Sequence, residues 1–271
     1  MSRIVINSLQ NSLVKQVVKL SEKSQERKKT GWFVAEGRRE VSLALQSGVG
    51  LYKLFICEDL YTEDKHYPIV MDSISQKVVY VSSQVYARMA YRGSAEGVLA
   101  ILESFPVGLD HLVPCPNPLY LILESVEKPG NLGAVLRTAD ASGVDAVIIC
   151  DPQTDIFNPN VIRSSLGCIF TVGVAVCSSP SWFEWATSNG VSTFIASVQA
   201  EKPYYMADMC QPVALAFGSE AEGLSDIWYE RSAQQLKIPM EGKIDSLNVS
   251  ASAAIMVFEA RRQRYTMGVS L

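Results

Sequence analysis

The sequence predicts an α/β protein in two parts, a small N-terminal α/β domain and a larger C-terminal domain built on a parallel sheet. Near-continuous apolar runs of strand length alternate with helical stretches in the second half, the signature of strands covered on both faces. Between Phe105 and Pro118 the segment FPVGLDHLVPCPNP carries four prolines and little periodicity, the composition of an extended linker. A chain of 271 residues, 48% hydrophobic and 19% charged, is long enough for two cores. The expected boundaries are 1–104, a linker at 105–118, and 119–271.

Residues 7–20 place Leu9, Leu13, Val17 and Leu20 at helical spacing, which predicts an amphipathic helix followed by the charged run KSQERKK. A short strand at 32–35 leads into a helix ending near Gly48. Strands are predicted at 51–58, 77–82 and 97–103, with a helix around 85–90. After the linker, LYLILESV at 119–126 reads as a buried strand. The helix after it has Asn131 available as N-cap and Gly143 as its stop. Further strands are predicted at 145–151, 191–197, 213–218 and 235–240, and the long segment 239–264 joins a polar loop to a helix rich in small residues.

The charge of −4 disfavours nonspecific coating of nucleic acid, yet it averages over an asymmetry. Residues 1–40 hold nine Lys or Arg against four Glu, whereas residues 104–271 hold ten against seventeen acids. The basic end is therefore suited to a phosphate backbone. Six cysteines without a C-x-x-C pair and only two histidines disfavour zinc ribbons, dithiol chemistry and His-based triads, and no metal site is expected. No apolar run approaches a membrane span and no secretory signal opens the chain, so a cytoplasmic protein with no membrane partner is expected.

Three polar, glycine-containing loops follow apolar strands in the second half: EKPGNLGAVLRTA after Val126, GSEAEGL after Phe217 and MEGKIDSLNVS after Pro239. In a parallel sheet they share one rim, where ligands bind. None is the dinucleotide fingerprint or the phosphate-binding P-loop, which disfavours nicotinamide and nucleoside-triphosphate enzymes.

These loops resemble the signature motifs of the SpoU (TrmH) family of S-adenosylmethionine-dependent RNA ribose 2'-O-methyltransferases. The resemblance is carried by Asn131-x-Gly133-x-x-x-Arg137-Thr138-Ala139, by Gly218-x-Glu220-x-x-Gly223-Leu224, and by Ile238-Pro239-Met240 followed by Ser246-Leu247-Asn248-Val249-Ser250. Residues 11–15 and 33–38 resemble the family's substrate-binding domain. The resemblance implies a SPOUT-type fold, with a trefoil knot in the C-terminal domain, which ordinary topology rules would exclude. It also implies a homodimer through that domain and a structured RNA substrate, ribosomal in preference to transfer RNA. A non-catalytic RNA-binding protein retaining the fold is the alternative.

By resemblance, S-adenosylmethionine is surrounded by Phe217, Gly218, Gly223, Ile238, Met240, Ser246, Leu247 and Ala253. The catalytic set is Arg137, Asn131, Glu220, Ser246 and Asn248. Arg137 has two roles open to it, general base or phosphate anchor. A guanidinium with a pKa above about 12 surrenders a proton reluctantly, which favours the anchor. Asn131 and Asn248 also read as helix N-caps, and Glu220 as a partner for Arg137 or a support for its own loop. Lys15, Lys19, Lys28, Lys29, Arg38, Arg39 and Arg163 are the RNA-binding candidates, with Lys23 and Arg27 in the same basic run. Arg261, Arg262 and Arg264 either complement the dipole of the last helix or reach substrate. Ala221 stands where the family often has glycine, and Leu166 and Cys168 flank Gly167 where smaller residues are common, which bears on loop geometry and selectivity.

Overall fold

A computed structural model describes residues 5–91, 96–113, 115–219 and 222–268. The chain opens with β1 (Val5–Ile6), α1 (Ser12–Glu22), α2 (Ser24–Thr30), β2 (Trp32–Glu36), α3 (Arg38–Gln46) and β3 (Leu51–Ile56). It continues through α4 (Met71–Ile74), β4 (Val78–Val81), α5 (Ser83–Met89) and β5 (Val98–Glu103). The second half holds β6 (Leu119–Glu124), α6 (Pro129–Ser142), β7 (Ala146–Cys150), α7 (Pro159–Ser164), β8 (Gly173–Cys177) and α8 (Ser179–Ser188). It ends with β9 (Ser192–Ala196), β10 (Val213–Phe217), α9 (Asp226–Arg231), β11 (Gln234–Leu236) and α10 (Val249–Thr266).

The chain divides into two compact units, one of residues 1–105 and 155–171, the other of 106–154 and 172–271. In the first, a five-stranded sheet has the order β1-β4-β3-β5-β2, with β1, β4 and β3 parallel and β5 antiparallel to both neighbours. The apolar stripe of α1 supplies Val14, Val17 and Leu20 to its core, where they meet Val34, Phe55, Leu99 and Ile101. The helix starts later than the apolar spacing suggests, because the Asn11 side chain accepts from the Leu13 amide and caps it. Leu9 therefore precedes the helix and is exposed. The polar run after it forms α2, a helix that periodicity alone did not indicate.

Residues 155–171, which their place in the chain assigns to the C-terminal domain, group with the first unit for identifiable reasons. The buried Arg27 guanidinium pairs with Asp155 at 2.7 Å and donates to the Leu20 carbonyl at 2.5 Å. Phe33 stacks on Phe157 at a centroid separation of 4.8 Å, and Phe105 and Phe170 complete the aromatic cluster. Gly167, at φ +80°, admits close packing: a Cβ there would meet Leu43 Cδ1 at 2.9 Å and Glu40 Cα at 3.3 Å.

The second unit is a parallel six-stranded sheet of order β11-β9-β10-β6-β7-β8. Every residue of β6, β7 and β10 is buried, as near-continuous apolar strands require when helices cover both faces. From β6 the chain moves outward through β7 and β8, then returns to the other side of β6 through β9 and β10. This reversal of strand order creates a crevice at the carboxyl ends of the strands. The edge strand β8 and helix α8 were not predicted from sequence. The strand is only partly buried, and α8 carries its apolar residues without a clear 3.6-residue stripe.

The last helix is fixed by two arginines that sequence left as dipole partners or substrate contacts. Arg261 is buried and donates from Nε to the Ser142 carbonyl at 2.6 Å and from a terminal nitrogen to the Gly143 carbonyl, closing the end of α6. Arg264, 3% exposed, donates to four carbonyls, those of Met209, Asn117, Pro118 and Gln211, at 2.7–3.0 Å. Burial holds its pKa below the usual guanidinium range. These side chains satisfy backbone acceptors inside the unit and are unavailable to RNA. Only Arg262 is exposed, where it pairs with Glu259 at 2.8 Å. Among the described residues no helix is long and apolar enough to cross a membrane.

Candidate cofactor and substrate site

A cavity of about 370 Å³ opens at the carboxyl ends of β9, β10 and β11. Its walls come from three stretches. Ala196 ends β9 and Ser197, Val198 and Gln199 follow it; Phe217 ends β10 and Gly218, Ser219, Glu222, Gly223 and Leu224 follow it, with Tyr229 from α9; Leu236, Ile238, Met240, Asp245, Ser246, Leu247, Val249 and Ser252 lead from the end of β11 into α10. The volume and the mixture of apolar walls with a few polar groups suit a small organic molecule.

The second loop owes its shape to glycine. A Cβ on Gly218 would overlap the Gly223 carbonyl group and the Leu224 nitrogen, both backbone, so no side chain fits. Ser219 and Gly223 exchange backbone hydrogen bonds at 3.1 and 3.0 Å, which folds the loop on itself, and the Ser219 hydroxyl accepts from the Glu222 amide. Gly223 is left-handed at φ +72° with open space around it, so its requirement is conformational.

The sequence candidates fall into several environments. Phe217, Gly218, Gly223, Ile238, Met240, Ser246 and Leu247 line the cavity. Ala253 does not; it is fully buried one helical turn beneath, and Val249 and Ser252 present the wall instead. Asn131 is not the N-cap of α6. Lys128 holds that position, Pro129 opens the helix as its first residue, and Asn131 sits in the first turn. Its Oδ1 accepts from Asn248 Nδ2 at 3.3 Å, which joins the first loop to the third. Asn248 does cap α10, accepting from the Ser250 amide at 3.0 Å. Arg137 is exposed on α6, and no described residue pairs with it. It does not line the cavity. Glu220 and Ala221 lie outside the described residues, so a pairing of Glu220 with Arg137 has no geometry here.

In the first unit, Lys15, Lys19, Lys23, Lys28 and Lys29 are exposed along α1 and α2. Arg27 departs from this run as the buried partner of Asp155. Arg38 is engaged by Glu96 at 3.3 Å and by the Thr62 hydroxyl at 2.7 Å, and Arg39 lies over the Tyr67 ring. Arg163 faces the Glu36 and Glu40 carboxyls, stabilising their charged forms against burial. Burial dominates at Glu40 and pushes its pKa up to about 7. The three arginines therefore sit among internal partners, whereas the lysines point to solvent.

Sequence reasoning passed over Ser197, Val198 and Gln199 as cavity walls. The rule that placed ligands at strand carboxyl ends was the available signal, since these residues directly follow β9. Glu222 and Asp245 were likewise unremarked, although both stand in the polar loops already singled out.

A parallel α/β domain with a cavity of this size at the carboxyl ends of three adjacent strands places the protein among the doubly wound α/β proteins, whose ligands sit at that rim. The chain belongs to the SpoU rRNA Methylase family, whose model matches residues 118–258, and an MRM3-like substrate binding domain matches residues 11–100. It is 33% identical to an uncharacterized tRNA/rRNA methyltransferase of Synechocystis, over 96% of this chain and 94% of that one. It is 31% identical to the 23S rRNA (guanosine(2553)-2'-O)-methyltransferase RlmP of Bacillus subtilis, over 94% and 98%. Among solved structures it is similar to an AdoMet-bound rRNA methyltransferase from Sinorhizobium meliloti, with TM-score 0.85, 28% identity and coverage of 96% and 97%.

Proposed function

We infer that this protein transfers the methyl group of S-adenosylmethionine to a ribose 2'-hydroxyl of ribosomal RNA. The observation that carries the reading is the cavity of about 370 Å³ at the carboxyl ends of β9, β10 and β11 of a SpoU-family domain, walled by two of the three signature loops, those after β10 and β11. Relatives of this family are named as 23S rRNA 2'-O-methyltransferases, and a similar structure holds the cofactor. The cofactor supplies an electrophilic methyl on a sulfonium. The chain's residues fit it: backbone exposed by Gly218 and Gly223 meets the polar parts, Phe217, Ile238, Met240 and Leu247 cover the apolar ones, and Glu222 and Asp245 suit its cationic centres.

Transfer is an in-line displacement in which the ribose 2'-oxygen would bond the methyl carbon as the sulfur–carbon bond breaks, with S-adenosylhomocysteine as leaving group and the hydroxyl proton passing to solvent at the rim, so orientation of the ribose supplies much of the rate. Arg137 grips a substrate phosphate through its two-nitrogen fork, while Ser246 and the linked pair Asn131 and Asn248 set the rim at which the ribose docks. The exposed lysines of α1 and α2 hold the RNA backbone through phosphate contacts. We further propose a homodimer through the C-terminal domain, because Phe258, Tyr265, Met267 and Met206 are large apolar or aromatic side chains left 50–71% exposed on and beside α10. The segment between β11 and α10 forms the family's trefoil knot in this reading, and the protein acts in the cytoplasm.

Calorimetry with S-adenosylmethionine separates this account from a non-catalytic RNA-binding protein of the same fold. One molecule should bind per chain with a Kd in the micromolar range, about −8 kcal/mol. No heat of binding at millimolar cofactor would favour the non-catalytic protein.

A further inference from the structure

We propose that Glu124 is a positioning residue for the cofactor site, acting through Ser225 to hold the loop that follows β10. The proposal rests on the reading of the cavity as the S-adenosylmethionine site. Glu124 ends β6, the strand that leads into the first loop, and is 3% exposed. One carboxylate oxygen accepts from the Ser225 amide at 2.8 Å and the other from the Ser225 hydroxyl. Glu124 does not itself line the cavity, whereas Gly218, Ser219, Glu222, Gly223 and Leu224, the loop that ends at Ser225, do.

Two features set this contact apart from ordinary packing. Ser225 is the N-cap residue of α9, where a serine ordinarily accepts from an amide of the first turn. Its side chain makes no capping bond; the hydroxyl is turned to Glu124 instead. In addition, Ser125 and Asp151, which follow the neighbouring strands β6 and β7, are both left-handed at φ 52° and 47°. Such a conformation is unfavourable for side-chain-bearing residues and persists where the surroundings fix it.

The surroundings are a polar cluster in which Glu124, Ser179 and Trp228 are buried, Asp151 is half-buried and Ser225 lies at the exposed edge. The Ser179 hydroxyl lies 2.6 Å from Asp151 Oδ2 and 3.2 Å from Glu124 Oε1, and accepts from Trp228 Nε1 at 3.1 Å. Asp151 Oδ2 also accepts from the Ser179 amide at 2.9 Å. A hydroxyl has one proton, and the shorter contact directs it to Asp151. Glu124 is thereby left to Ser225, and among the described residues it is the only side chain that hydrogen-bonds Ser225. The loop is anchored at its start by the register of β10 and at its end by this carboxylate.

The test is Glu124→Gln in the full chain, which keeps volume but replaces one acceptor oxygen with a donor that meets Ser225. The Kd and KM for S-adenosylmethionine should rise about tenfold or more, the loss expected when a charged acceptor is removed, while kcat at saturating cofactor stays close to that of the unaltered protein. Hydrogen exchange at the Ser225 amide should accelerate. Ser179→Ala is the control, since it cuts the links to Asp151 and Trp228 and leaves Glu124 on Ser225. It should lower thermal stability with a nearly unchanged Kd. Should Glu124→Gln fail to fold, Ser225→Ala removes only the hydroxyl half of the contact and should raise Kd and KM by a smaller factor; no rise overturns the proposal. So does an unchanged Kd together with unchanged Ser225 exchange in Glu124→Gln, or a Ser179→Ala variant that loses cofactor affinity as much as Glu124→Gln does. If the unaltered protein binds no S-adenosylmethionine, the cofactor reading fails, and exchange at Ser225 alone then decides whether Glu124 holds the loop.

Discussion

Arg137→Ala should lower methyl transfer by about 100- to 1,000-fold, the usual cost of removing a preorganised charged contact to a reacting substrate, and leave S-adenosylmethionine affinity unchanged. The split follows from where the residue lies. Arg137 is exposed on α6 and is not part of the cavity wall, so its removal does not disturb the cofactor's surroundings. It stands six residues beyond Asn131, roughly 9 Å along the helix axis, on the element that begins at the first loop. Arg137→Lys keeps the charge and loses the planar fork, so it should recover only part of the rate. Single-turnover kinetics with the RNA, alongside calorimetry with the cofactor, measure both halves. Turnover equal to that of the unaltered protein would remove Arg137 from the mechanism, and lost cofactor binding would assign it a structural role.

Gly218→Ala should have the second large effect, in the opposite compartment of the reaction. A Cβ at this position overlaps the Gly223 carbonyl group and the Leu224 nitrogen. Those atoms cannot retreat without breaking the paired Ser219 and Gly223 hydrogen bonds that close the loop. Overpacking of this kind costs about 1–3 kcal/mol, and here it falls on the cavity wall, so cofactor affinity should drop by about 10- to 100-fold. Gly223→Ala provides the contrast. Its Cβ meets nothing within 4 Å, and only the positive φ is disfavoured, so a loss of about 1 kcal/mol in stability is expected. Calorimetry and thermal melts of the pair distinguish a steric wall from a flexible turn; equal affinities in both variants would contradict the account.

Much of this architecture is legible in the sequence because burial on both faces leaves an unmistakable record. LYLIL, AVII and VALAF are continuous apolar runs, and they became β6, β7 and β10 at the centre of the sheet. The loops after β10 and β11 were equally visible, since glycines and polar residues interrupt those runs at the strands' carboxyl ends. What escaped notice depends on partners distant in sequence. Nothing local in NPNVIRSSLG marks 155–171 for the first unit; the aromatic cluster with Phe33 and the Arg27–Asp155 pair do so only in three dimensions. Arg261 and Arg264 look like surface charges at a helix end, and their burial follows from backbone carbonyls contributed by segments up to 147 residues away. Asn131 has the side chain of a cap, but Pro129 fixes a helical φ two residues earlier and starts α6 there. Ala253 belongs to the right helix but lies one turn beyond Val249, which presents the wall, a distinction that a loop motif does not specify.

Methyl transfer to ribose is read directly by locating a labelled methyl group in the RNA. The protein is incubated with S-adenosylmethionine labelled in the methyl group and with ribosomal RNA lacking its modifications. The RNA is then digested to nucleosides, and the label is located on base or sugar. Label is expected on the ribose 2'-oxygen of a single nucleotide position, at a rate at least about 100-fold lower when Arg137→Ala replaces the unaltered protein. Label confined to a base, or no transfer from a cofactor that binds, would contradict methyl transfer to ribose.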